Sequence, residues 1–255
     1  MMISKNRQKL LRQLETKKYR DREGLFVAEG PKVISDLLAI SPAKFIYATQ
    51  QWIESHDAPS TEELIEVTAE ELRRISFLQH PQQVLGVFPL PSCTETEEES
   101  AEAISSTLCL GLDGVRDPGN LGTIIRIADW FGIEHIYCSQ DCADAYSPKV
   151  VQATMGSIAR VRVVYTDLCA LCDRLPSEVA VYGTLLDGTD IYHSALSSAG
   201  LLVMGNEGHG ISQPLRERLT HRLLIPAYPP DRPTAESLNV AIATAVCCAE
   251  FRKRM

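Results

Sequence analysis

A chain of 255 residues with 45% hydrophobic content is long enough to bury two cores, and its net charge of −8 excludes a protein that coats nucleic acid with uniformly basic surface. The opening residues, MMISKNRQKLLRQLE, carry charge through their first turns without an apolar targeting stretch, and no run approaches the roughly 18 apolar residues of a membrane span, so a cytoplasmic protein with no membrane partner is expected.

In chain order, the first feature is charge. Between Lys5 and Arg22 the bases Lys5, Arg7, Lys9, Arg12, Lys17, Lys18, Arg20 and Arg22 meet only Glu15 and Asp21, which suits either a phosphate-contacting arm or a solvated basic helix. Then come a strand over 25–28, a helix opened by Pro31, a strand over 45–48, helical pieces near 62–66 and 69–77, and a strand over 84–88. This alternation describes a small α/β domain over 1–92. The stretch PLPSCTETEEESAEAISS follows, with two prolines and five glutamates among small polar residues, and reads as an acidic linker over 93–106.

Residues 107–255 alternate more strongly. Apolar strands are expected at 108–112, 135–138, 161–164, 179–184, 201–204 and 223–225, and such runs suit a mostly parallel sheet buried on both faces. A helix over 121–131 stops at Gly132, and a last helix over 237–252 places Arg252, Lys253 and Arg254 at its negative end. The eight cysteines sit mostly in apolar runs and read as reduced thiols. The pairs Cys138/Cys142 and Cys169/Cys172 have metal-like separations but no turn-rich knuckle, so no metal is expected.

In parallel sheets ligands bind beyond the carboxyl ends of strands, and three loops there carry polar residues. The first is DGVRDPGNLGTIIR, in which Asn120 is expected to cap the following helix and Arg126 to lie on its polar stripe. The second is MGNEGHGIS, three glycines around Glu207, an acid that a phosphate cradle would avoid. The third runs from Ile225-Pro226-Ala227-Tyr228 to Ser237-Leu238-Asn239 at the mouth of an apolar helix. Each alone is also readable as an ordinary turn or cap.

Together and in this order, the three segments resemble the three motifs of the SpoU, or TrmH-like, RNA ribose 2′-O-methyltransferases, a likeness spanning about 107–252. AYSPKVVQATMGSIARVRV resembles the stretch after the first motif. Ala227-Tyr228, where methionine is common, and Ala241, where serine is common, depart from the pattern. KNRQKLLRQLETKKYRDREGLFVAEGPKVI resembles the ribosomal-protein-like RNA-binding domain that often precedes the catalytic one.

The resemblance implies a SPOUT fold, a mostly parallel α/β sheet with a trefoil knot, acting as a homodimer with S-adenosylmethionine as cofactor. It assigns catalysis to Arg126, Asn120, Glu207, Ser237 and Asn239. It assigns cofactor contacts to Thr184, Leu185, Leu186, Met204, Gly205, Asn206, Glu207, Gly208, Gly210, Ile225, Pro226, Tyr228, Leu238 and Asn239. RNA contacts are expected from Lys5, Arg7, Lys17, Lys18, Arg20, Arg22 and Arg116. The implied activity is 2′-O-methylation of structured RNA, ribosomal ahead of transfer RNA. The rival is a non-catalytic ribosome-assembly factor that retains the knot, against which the five intact polar residues speak. A nucleotide-dependent oxidoreductase is disfavoured because no GxGxxG turn precedes an acid at ribose distance.

Overall fold

The computed structural model describes residues 3–56, 59–91, 95–229 and 235–253, whose contacts divide into two units. The first holds Met1–Ser92 together with Asp144–Ala159, and the second holds Cys93–Ala143 with Arg160–Met255. Arg254 and the proline-rich residues 230–234 lie outside the described residues.

In the first unit two helices, α1 (Lys5–Gln13) and α2 (Lys17–Glu23), precede β1 (Leu25–Glu29), α3 (Pro31–Leu38), β2 (Ala43–Ala48), α4 (Gln50–Glu54), β3 (Thr61–Glu66), α5 (Ala69–Ile75) and β4 (Val84–Pro89). The sheet order is β1-β4-β2-β3, with β4 antiparallel to both neighbours and β3 parallel to β2. Side chains alternate across it. Leu25, Val27, Tyr47, Leu85 and Val87 join Leu11, Leu14 and Leu72 in one core, while an added Cβ on Gly86 would strike Phe88 and Ile34 of α3. Residues 62–66, expected as a helical piece, form β3. An edge strand leaves its outward carboxylates in water, and pairing Tyr47 with Ile65 outweighs the weak local preference of TEELIE.

The first unit also takes residues 144–159 out of the stretch expected as one continuous domain over 107–255. α8 (Pro148–Ala153) packs on β1, the Tyr146 ring stands 5.0 Å from that of Phe26, and Asp144 pairs with the buried Arg20. Aromatic burial and a desolvated ion pair are long-range terms that no local pattern announces.

The second unit contains α6 (Glu97–Ser106), β5 (Leu108–Leu112), α7 (Pro118–Trp130), β6 (His135–Cys138), β7 (Arg162–Tyr165), α9 (Leu168–Arg174), β8 (Val181–Asp190), β9 (Gly200–Met204), α10 (Gln213–Arg216), β10 (His221–Leu224) and α11 (Val240–Lys253). The order β10-β8-β9-β5-β6-β7 is parallel throughout, as the unbroken apolar strands lead one to expect. Ile104, Cys109, Val181, Leu201, Val203 and Leu215 form one core of this unit, and elsewhere in it Tyr182 meets Phe251 of α11 edge-on at 5.0 Å.

Part of the acidic linker is helix. Thr96 and Glu99 close a capping box, three glutamates occupy the positive first turn, and Ile104 is fully buried, so one apolar stripe suffices despite the polar composition. The Glu95 side chain, just before it, is 2% exposed and accepts from Arg162 at 2.9 Å, Ser100 at 3.0 Å and Tyr137 at 3.2 Å, with His135 at 3.2 Å. Burial works to raise its pKa, but the bonds from Arg162 and Ser100 and the His135 charge hold it below the ordinary carboxylate value. A depressed carboxylate stabilises the fold above its unfolded pKa, and that contribution is lost as pH falls through the folded one. Glu95→Gln should therefore cost about 2 kcal/mol near neutral pH, with the gap from the parent closing below the usual carboxylate range, as measured by urea unfolding across pH.

Candidate active site

The site residues lie where β5, β8, β9 and β10 end. Each loop is bent by a particular contact. β8 pairs with β10 through Tyr182 and Gly183, then again through Thr189 and Asp190, which leaves Thr184–Gly188 outside the register. A Cβ on Gly188 would stand 2.5 Å from the Leu223 carbonyl carbon, so only glycine lets the chain rejoin β10. The excursion keeps Leu185 buried, exposes Leu186, and places the Thr184 hydroxyl 3.8 Å from the Met204 sulfur. The expected strand over 179–184 thus extends to Asp190 through a bulge that periodicity does not reveal.

After β9 the chain folds back on itself. Asn206 and Gly210 exchange backbone hydrogen bonds of 3.0 and 2.8 Å, and a Cβ on Gly205 would lie 2.3 Å from the Gly210 backbone. The Asn206 carboxamide accepts from the Gly208 and His209 amides at 2.9 and 3.1 Å and donates to the Gly114 carbonyl at 2.7 Å. Asp113 accepts from the Ser212 amide at 2.7 Å, so two side chains fasten this loop to the one after β5. That leaves Glu207 exposed at the loop's tip.

Asn120 meets Glu207 there. Its Nδ2 donates to Glu207 Oε1 at 2.5 Å, and its Oδ1 accepts from Asn239 Nδ2 at 2.9 Å. Asn239 also accepts from the Ala241 and Ile242 amides at 3.0 and 3.3 Å, which is why α11 begins at Val240 and not at Ser237. The cap of α7 is Asp117, whose carboxylate takes the Asn120 amide at 2.8 Å, with Pro118 at the first helical position. Asn120, expected as the cap, is thereby freed to link two motifs.

Not every expected residue joins this network. Ser237 is exposed and makes no hydrogen bond among the described residues, and Arg126 is exposed on α7 with no hydrogen-bond partner there. Asn120 and Arg126 share no hydrogen bond among the described residues. Leu186, Tyr228 and Leu238 are exposed apolar side chains, and Ile225 and Pro226 are half-buried.

Asp113, Asp117, Ser139 and Cys142 were not anticipated. The Asp-Pro pair at 117–118 is a readable start signal, whereas Asp113 acts on a residue 99 positions away and gives no local sign. The Cys142 sulfur accepts from the Val115 amide at 3.3 Å. A hydrogen bond from Cys138 lowers its pKa to about 7 despite burial, helped by Ser139 and the Val115 and Gly114 amides. Among the described residues no cluster suited to a metal occurs.

In the first unit the expected RNA-contact residues divide. Lys5, Lys17, Lys18 and Arg22 are exposed, Arg7 binds Glu63 at 2.5 Å and stands over the Phe45 ring, and Arg22 pairs with Glu23. Arg20 is a correction. It is 2% exposed, donates to the Leu14 and Glu15 carbonyls at 2.7 Å each and pairs with Asp144, so its guanidinium holds the fold and is closed to a phosphate. In the second unit Arg116 is exposed but paired with Asp141 at 2.7 Å.

The model of the SpoU rRNA methylase family matches residues 107–249, more than half the chain. The chain belongs to that family. An MRM3-like substrate binding domain matches 5–86. The chain is similar to the 23S rRNA guanosine 2′-O-methyltransferase RlmP of Bacillus subtilis, 32% identical over 94% of each chain. Among solved structures, one from Porphyromonas gingivalis assigned to the TrmH family of RNA methyltransferases is 40% identical, with TM-score 0.88 over 100% of both chains. An AdoMet-bound rRNA methyltransferase from Sinorhizobium meliloti is 30% identical with TM-score 0.83, covering 98% of this chain and 95% of that one. For this SpoU-family chain, Asn206→Ala removes three hydrogen bonds that shape the loop after β9. It should weaken S-adenosylmethionine binding at least about tenfold by calorimetry while the far-ultraviolet dichroism stays unchanged.

Proposed function

We propose that this chain transfers a methyl group from S-adenosylmethionine to a ribose 2′-hydroxyl of ribosomal RNA, in the cytoplasm and as a homodimer whose catalytic unit carries the trefoil knot. The observation that carries the reading is the Asn239–Asn120–Glu207 hydrogen-bond chain, which joins all three family motifs at one end of a parallel sheet. Ribosomal RNA is favoured over transfer RNA by the substrate-binding domain matched over 5–86 and by the names of the full-length relatives. The homodimer is supported by two exposed apolar side chains that a second copy would cover, Trp130, 85% exposed at the end of α7, and Ile242, 54% exposed near the start of α11. No described helix is long and apolar enough to cross a membrane.

The cofactor fits the residues present. The tight loop Gly205–Gly210, the excursion Thr184–Leu186, Ile225, Pro226, Tyr228 and the Leu238–Asn239 start of α11 offer backbone polar groups and exposed apolar side chains to an adenosyl ligand. When bound, it supplies a methyl group made electrophilic by its sulfonium. The protein then has to hold the ribose hydroxyl in line with that methyl group, and positioning of this kind is worth many kcal/mol of barrier. Glu207, fixed by Asn120, anchors the substrate side of the loop. Arg126 is not the base, because a guanidinium offers only N–H donors and no lone pair that accepts a proton. Exposed and without a partner among the described residues, it clamps the phosphate beside the target ribose and stabilises the emerging alkoxide, while that phosphate or a water takes the proton. Its separation from the Asn120 network accords with an action at the partner's cofactor site.

Arg126→Ala should lower methyl transfer by roughly 10²–10³-fold or more while S-adenosylmethionine still binds. The check is tritium transfer into deproteinised ribosomal RNA beside calorimetry of the cofactor. Near-normal turnover in this variant would remove Arg126 from the mechanism, and absence of transfer by the parent to any ribosomal RNA would remove the function itself.

A further inference from the structure

The first unit is matched as a substrate-binding domain, but the methyl-transfer reading leaves open which RNA element it grips and with which surface. Lys5, Lys9 and Arg12 recur at i, i+4 and i+7 and so share one face of α1, away from Leu11 and Leu14, which enter the core. All three are exposed, and none has a carboxylate partner among the described residues, whereas Arg7, Arg20 and Arg22 of the same segment each pair with an acid. This face borders a shallow groove, wide open to solvent, of about 550 Å³ completed by Gln8, Gln13, Thr16 and Tyr19. Tyr19 is half-buried and its ring is met at 4.5 Å by the Arg22 guanidinium, which is not part of the groove lining. Arg22, itself paired with Glu23, thus covers one side of the ring, and a ligand has to meet the ring from the other.

Three cations in a row without a carboxylate partner among the described residues, the amides of Gln13 and of Gln8, the latter already donating to the Ile3 carbonyl at 3.0 Å, and one aromatic ring form a combination with a definite chemical complement. Successive phosphates answer the cations, and an unpaired base answers the ring and the amides. A duplex keeps its bases stacked on each other and offers nothing to Tyr19. An acidic protein surface would answer the cations alone.

We propose that the α1–α2 groove binds an unpaired nucleotide segment of the substrate RNA, with Lys5, Lys9 and Arg12 on consecutive phosphates and one base stacked on Tyr19. The site rests on the RNA-methyltransferase reading and adds to it the kind of RNA element that the first unit grips. Because the groove is built wholly within the first unit, it affects affinity for RNA and leaves the chemistry of the methyl-transfer site alone.

The test uses the full chain, deproteinised large-subunit ribosomal RNA as probe, and filter binding over a salt series. Lys9→Ala/Arg12→Ala should weaken binding and reduce the slope of log affinity against log salt by about 1.4–1.8, two phosphate contacts' worth. Tyr19→Leu should weaken binding roughly tenfold with the slope unchanged, and Tyr19→Phe should restore it. Both lesions should raise KM for the RNA and spare kcat, cofactor affinity and the dichroism spectrum. Unchanged affinity and slope in both variants, with the parent active, overturns the groove while leaving the methyl-transfer reading in place. A salt effect in the double variant with a silent Tyr19→Leu overturns the stacked base and leaves a surface read by charge alone. A parent that neither binds nor methylates ribosomal RNA overturns the function, and the groove's assignment with it.

Discussion

A carboxamide is the smallest side chain that donates and accepts at once from a planar group, and the site depends on Asn120 doing both. Its nitrogen serves Glu207 and its oxygen serves Asn239, so segments 87 and 119 residues away are held to the start of one helix. An aspartate there would face Glu207 with like charge, and an alanine would leave both partners unfastened. The remaining loop geometry converges on this contact. Asp117 caps α7 so that Asn120 need not, and Asn206 shapes the turn that carries Glu207 to it.

The parallel sheet makes such a convergence attainable. Every strand of the second unit runs the same way, so the loops after β5, β8, β9 and β10 emerge at one end, where their polar groups can bond one another across loops. The cost is a buried sheet with no solvated face, and the unbroken apolar runs from Leu108 to Leu112 and from Gly200 to Met204 answer it. Buried charge is offset by partners in both units, although the Nε of Arg20 and the Tyr47 hydroxyl are buried without one among the described residues. Glu95 has four neighbours to offset its desolvation, and Arg20 has two carbonyls and a carboxylate.

Charge in the basic segment is divided by function. Arg20 became structural because it is buried beside Asp144, and Arg7 and Arg22 are tied to acids, whereas Lys5, Lys9 and Arg12 share a face with no carboxylate partner among the described residues. Net charge in a window of sequence counts all of these alike. Only pairing in space separates a phosphate contact from an internal brace.

The sequence by itself determined the fold class, the strand succession of the second unit and the three polar loops, because these follow from apolar periodicity and from residue types that few environments tolerate. It also carried the family resemblance, through the joint order of DPGNLG, GNEGHG and ESLN. The tertiary structure alone decided what depends on partners far along the chain. It made 61–66 an edge strand and 97–106 a helix, moved residues 144–159 into the first unit, and drew Thr184–Gly188 out of register. It also bound Asn120 to Glu207 and Asn239 while leaving Ser237 and Arg126 outside that network. The physical reason is common to all of them. Local preferences of about 1 kcal/mol are outweighed by burial, strand pairing and hydrogen bonds whose other half lies tens of residues away.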